Sequence, residues 1–158
     1  MRVDCRACLL PVVVFAAAMS ASCTGDRDLT RDPKRRLTEY VSKSFAVATV
    51  GDKKSLEAYL TGDARARLAA WSDEQFEAAF IRAKRQFVKL VVREMKKVAD
   101  GEVNITYELT YLDQGKGLDV RVTNKKLCTM VLEEGKWLIR EVRNVKELIE
   151  YRNEMTIP

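Results

Sequence analysis

Four cysteines and no histidine set the limits of the chemistry open to this 158-residue chain. Without an imidazole there is no usual general base, no His-ligated metal site and no conventional activated Ser or Cys pair. Thiols, carboxylates and phenols remain. Cys5-Arg-Ala-Cys8 has the spacing of a redox or metal pair, but no second pair follows to complete a site, so an incidental place in an N-terminal leader is expected. Cys128 lies among Leu127, Met130 and Val131 with Lys125 and Lys126 nearby. A reactive thiolate there would want a base or a helix terminus, and with none in view Cys128 is expected to act as a small buried hydrophobe. Cys23 differs from all of these, because it closes an apolar segment and is followed at once by small and polar residues. No Gly-rich phosphate loop or Gly-x-Ser-x-Gly elbow occurs, so no catalytic residue, metal or cofactor is assigned.

The segment ending at Cys23 opens with Arg2 and Arg6, runs through Leu9 to Ser22 with only small residues and two serines among the apolar ones, and finishes Ser20-Ala21-Ser22-Cys23. A helix crossing the hydrocarbon core needs about twenty residues, which this run does not reach, and Pro11 interrupts it. A basic start, a short apolar run and small residues at its end are the order of a secretory signal. The segment resembles bacterial lipoprotein signals, in which the cysteine ending a four-residue box receives a diacylglycerol thioether before cleavage on its N-terminal side. The resemblance implies that residues 1–22 are removed, that Cys23 is lipidated, that residues 23–33 form a tether, and that the chain is held to a membrane facing the periplasm of a bacterial envelope. Ser20 stands where the usual box has Leu, which leaves ordinary signal cleavage or an uncleaved short anchor open. Thr24 occupies the position where Asp favours inner-membrane retention in enteric lipoproteins, so the resemblance favours the outer membrane.

Residues 34–158 are one domain's worth of chain, enough for a single core. The formal charge of +5 is a mild excess. Basic residues gather at Arg31 to Arg36 and from Arg82 through Arg85 to Lys97, with acids interleaved, and no aromatic-studded basic stripe suggests nucleic acid. These clusters read as solvated faces, or as surfaces drawn to anionic headgroups beside an anchor.

Apolar residues recur at helical spacing from Lys34 to Val50, and Gly51-Asp52 ends the run. A second helix is expected from Lys53 to Leu60 with Asp52 as N-cap, and a short third one over Ala64 to Trp71. Ser72 and Gln75 have capping-box spacing ahead of a helix to about Arg85, with Phe76, Ala79, Phe80 and Ala83 as its buried stripe. The period then changes. Phe87 to Ala99 carries apolar residues on both faces, as a strand near the middle of a wrapped sheet would, and Asp100-Gly101 turns it. Val103, Ile105, Tyr107, Leu109 and Tyr111 alternate with polar residues, so one row should face the helices. Gln114 to Gly117 makes another turn, and Leu118, Val120 and Val122 continue the alternation until Leu127 and Val131 render both faces apolar. Glu133-Glu134-Gly135-Lys136 closes a hairpin onto Trp137 to Val142, and Asn144 with Glu147 repeats the capping spacing ahead of a short terminal helix.

Helices followed by four long antiparallel strands make an α+β domain in which a curved sheet packs on N-terminal helices. Together with Tyr40-Val41 through Gly51-Asp52, and Val131-Leu132-Glu133-Glu134-Gly135-Lys136-Trp137-Leu138-Ile139, this order resembles the cone-shaped fold of the nuclear transport factor two-like superfamily over about residues 33–144. The resemblance implies a cavity at the open end of the cone, with Tyr40, Phe76, Phe80, Tyr107, Leu109 and Trp137 as candidate lining. It implies two classes of activity. One is a binding domain for an apolar small molecule or an envelope protein partner. The other is an isomerase or dehydratase with Tyr40 as hydrogen-bond donor; in the isomerases a carboxylate acts as base, but Asp63-Ala64-Arg65-Ala66-Arg67 replaces the matching loop here.

Overall fold

The computed structural model describes residues 32–116 and 120–151; Cys23, most of the tether, Gly117 and Leu118 lie outside them. Helix α1 spans Pro33–Phe45, started by Asp32, whose carboxylate accepts from the Lys34 amide at 2.9 Å, and by a proline in the first turn. It buries Leu37 and Val41. The expected continuation to Val50 does not form. Asp52 Oδ2 instead accepts from the Ala48 and Thr49 amides, at 3.0 and 2.9 Å, and draws the chain into a 3₁₀ turn over Val50–Asp52. The same carboxylate is thereby used up, so Asp52 does not cap the following helix α2 (Lys53–Glu57) through its side chain, as the sequence suggests.

Helix α3 covers Gly62–Ala70, and α4 (Asp73–Phe76) runs into a π-helical turn at Glu77–Ile81. The Ser72–Gln75 capping box forms as expected: Ser72 Oγ accepts from the Gln75 amide at 3.2 Å, and Gln75 Oε1 from the Ser72 amide at 2.9 Å. Helix ends before Arg85, because Lys84 takes a positive φ of 45° and Arg85 already pairs with Asp113.

Four strands follow as a meander, β1 (Arg85–Ala99), β2 (Glu102–Asp113), β3 (Arg121–Glu133) and β4 (Lys136–Glu150), all antiparallel and adjacent in chain order. The molecule is therefore α+β, with its helices ahead of one antiparallel sheet. Two expectations are corrected. β1 is an edge strand and not a central one: Leu90 and Val92 pack on the core while Phe87, Val88, Met95 and Val98 are exposed, so apolar residues on both faces did not mean burial on both. Residues 144–150 form no helix. They extend β4, pairing Glu150 with Arg121 at the far end, because the backbone of β3 offers hydrogen-bond partners that outweigh a local capping signal. Register shifts interrupt the β1–β2 ladder three times and the β3–β4 ladder twice, each a place where a strand bends and twists.

The core lies between the helices and one sheet face. Leu37, Leu56, Leu68 and Phe76 meet Ile105, Tyr107, Val122, Cys128, Met130 and Ile139. The segment after α2 is tied to β4 by backbone, Thr61 N donating to Ile139 O at 2.9 Å and Ile139 N to Tyr59 O at 2.8 Å. Among the described residues no helix is long and apolar enough to cross a membrane.

The β3–β4 hairpin turns on Glu134 and Gly135, both at positive φ, between the paired Glu133 and Lys136. A Cβ on Gly135 would meet no atom within 4 Å, so Gly135→Ala changes only backbone strain. It is expected to lower stability by about 1–2 kcal/mol in urea unfolding.

Candidate functional site

Tyr107, Leu109 and Tyr111 project from β2 on the face toward α1, and Asn124 and Lys126 from the matching row of β3. Across from them stand Tyr40 of α1, Leu68 of α3 and Phe80 of the π turn. Between these walls is an open-sided cavity of about 800 Å³. Its size falls within the range of small-molecule sites, roughly 300–1,000 Å³.

Four of the expected lining residues, Tyr40, Phe80, Tyr107 and Leu109, border this cavity, and two do not. Phe76 is sealed behind Phe80, the rings stacked at 4.7 Å, and Trp137 is half-buried against the core near the β3–β4 hairpin. Trp71 joins the wall beside Phe80, with ring centroids 6.0 Å apart.

Tyr40 and Tyr107 border the cavity, and Cys128 lies in the core behind them. Desolvation pushes the Tyr40 phenol up to about 12, with charge on Cys128 adding to it. Tyr107 is raised as well, by burial first and then by Cys128 and Tyr40. Burial alone pushes the Cys128 thiol up to about 12. These three groups thus stay protonated together. A neutral Tyr40 hydroxyl on the cavity can donate a hydrogen bond, but among the described lining residues no Asp or Glu is present to serve as a base.

Cations are present where carboxylates are not. Arg67, Arg85 and Lys126 all border the cavity, and among the described residues none forms an ion pair within 4 Å. Lys126 is held below the ordinary lysine value by burial first and by Arg85 second, with Glu147 pulling the other way. The Arg85 guanidinium lies 5.5 Å from the Tyr111 ring centre, and Asn124 Nδ2 donates to the Tyr111 hydroxyl at 3.3 Å. Asn124 Oδ1 is buried with no partner among the described residues. Sequence reasoning missed this polar set. Its signal was the pair Asn124 and Lys126 interrupting the row Val120, Val122, Cys128, Met130, which reads equally well as a shift of period.

A pH dependence follows from these three protonated groups. Tyr40, Tyr107 and Cys128 ionise at higher pH in the folded chain than in the unfolded one, so the unfolded chain sheds these protons first. Stability is therefore expected to fall as pH rises above the ordinary thiol value of 9.0 and the ordinary phenol value of 10.0. Lys126 opposes this, since the penalty on its charged form fades as pH climbs toward the ordinary 10.5. Urea unfolding between about pH 8 and pH 11 measures the slope, and Tyr107→Phe should make it shallower toward the pH 11 end, where that difference approaches one proton.

No family model matches the chain, and no curated protein matches it. Among solved structures it is similar to the solution structure of a SEC-C motif containing protein from Rhodopseudomonas palustris, with a TM-score of 0.53 and 11% identity over 74% of this chain and 81% of that one. At that identity the likeness concerns the fold alone.

Proposed function

We propose that this chain is a lipid-anchored protein of the bacterial envelope, facing the periplasm, whose cone-shaped nuclear transport factor two-like domain binds an apolar small molecule without transforming it. The observation that carries the binding reading is the cavity of about 800 Å³, walled by Tyr40, Phe80, Leu109 and Trp71 and bordered by no carboxylate among the described residues. Isomerase chemistry at Tyr40 would need a carboxylate base against that hydroxyl, and among the described residues none borders the cavity. The anchor reading rests on the basic start, the short apolar run and Cys23 at its end.

Displacement of an environment-sensitive hydrophobic dye tests the binding half. The wild-type chain should enhance dye fluorescence saturably, and Ala79→Trp, which places an indole in the cavity wall, should weaken dye binding by about tenfold or more. Equal dye affinity in both would remove the cavity as the binding site. Metabolic labelling with a fatty-acid analogue tests the address: Cys23→Ser should lose the label, and retention of label in that variant would move acylation elsewhere.

A further inference from the structure

Among the described residues, the polar side chains that border the cavity are all positive or neutral, and that bias bears on what enters. A site built only to hold a hydrocarbon gains nothing from a desolvated lysine, which costs free energy on burial. Lys126 nevertheless sits on the inner row of β3 with Arg85 close enough to depress it, and both border the cavity. Among the described residues neither nearby acid forms an ion pair with Arg85 or Lys126 within 4 Å. Asp113, opposite Arg85 in the ladder, spends Oδ1 on the Gly115 amide at 3.2 Å, and Glu147, opposite Asn124, acts on Lys126 without forming an ion pair within 4 Å.

Asn124 supplies an independent observation. The residue is only 4% exposed, and Tyr111 engages one end of its amide while the other, buried end has no partner among the described residues. Leaving a buried polar atom unpaired is costly, and a ligand group reaching it from the cavity completes the bonding. The amide can present either end. With its oxygen accepting from the Tyr111 hydroxyl, the nitrogen is left to donate, in line with the two cations beside it.

We propose that the ligand is a single-chain amphiphile with an anionic head, its head held by Arg85, Lys126 and Asn124 and its chain lying along Tyr40, Phe80 and Leu109 toward Trp71. This deepens the binding reading above and rests on it. A head of this kind removes three costs at once: it pairs Lys126 with a counter-charge, offsets the repulsion from Arg85, and occupies the open end of the Asn124 amide. An uncharged alcohol of equal length relieves only the last.

The test uses the purified full chain in an uncharged maltoside detergent, so that partition into micelles is common to every sample. Trp71 borders the cavity, and bromine quenches indole only on contact, so 12-bromododecanoate, 12-bromododecyl phosphate and 12-bromododecanol report binding directly. Saturable quenching that Trp71→Phe abolishes identifies the site. The two anions should bind at least about tenfold tighter than the alcohol, and Arg85→Gln with Lys126→Gln should bring them down to the alcohol's affinity. Equal binding of acid and alcohol by the wild type overturns the anion proposal and leaves the apolar cavity standing. Absence of saturable quenching by any of the three sinks the cavity reading itself. Should the double variant fail to fold, NMR of ¹³C-dimethylated lysines in the unsubstituted chain decides: Lys126 should titrate at higher pH with dodecanoate present than with dodecanol, and an unchanged titration overturns the placement of the head.

Discussion

Phe76→Ala is expected to remove about 3–5 kcal/mol of folding free energy, measured as a lower urea midpoint at unchanged slope. The ring is 0% exposed and stacks on Phe80 with centroids 4.7 Å apart and planes 27° from parallel. It sits where α4 passes into the π turn, so its neighbours are held by helix geometry and cannot collapse freely into the space left. Small domains hold roughly 5–15 kcal/mol in total, which puts the variant near the limit of folding. Phe76→Leu, keeping most of the volume, should recover more than half of the loss. Phe87→Ala on the exposed face of β1 serves as the contrast, because Phe87 is 42% exposed. It should cost much less, and comparable losses for both would show that Phe76 is not the packed centre found here. The effect should also reach the site: Phe80 rests on Phe76 and borders the cavity, so dye affinity should fall along with stability.

Alkylation of Cys128 by iodoacetamide is expected to be at least about a thousandfold slower in the folded chain than in urea. Burial raises the thiol from its ordinary 9.0 to about 12, so the reactive thiolate is scarcer by about three powers of ten at neutral pH. The sulfur is also 0% exposed, and reagent reaches it only when β3 opens. Mass spectrometry of the peptide carrying Cys128 gives the rate from the full chain without removing the other cysteines. Labelling within a few-fold of the unfolded rate would mean that the centre of the sheet is open to water. The same digest reads Cys23, since an acylated sulfur takes no label even in urea.

Several elements were legible in the sequence because their causes are local. The Ser72–Gln75 capping box, the strand alternation from Val103 to Tyr111, and the Glu134-Gly135 turn each rest on residues within a few positions of one another, and each forms. Where two local signals competed, reading failed. Asn144 and Glu147 have helix-capping spacing, yet the chain there is a strand, because the deciding partner is the backbone of β3 some twenty residues upstream. Apolar residues on both faces of β1 suggested a central strand, but strand order depends on which neighbours pair and not on composition alone.

The site divides in the same way. Tyr40, Phe80, Tyr107 and Leu109 could be chosen as lining residues from the faces they occupy, because helix and strand periods assign a side chain to a face. Phe76 and Trp137 could not be told apart from them, since residues on one face differ in depth only once the layers have packed. By itself the amino-acid order determined the α+β succession, the absence of histidine chemistry and the signal-like segment ending at Cys23. Only tertiary structure brought Arg85 from the start of β1, Lys126 and Asn124 from β3 and Arg67 from α3 to one cavity and left it without a carboxylate among the described residues. Such charge convergence arises from contacts between residues far apart in the chain, and along β3 only the break of the apolar row at Asn124 and Lys126 marks it.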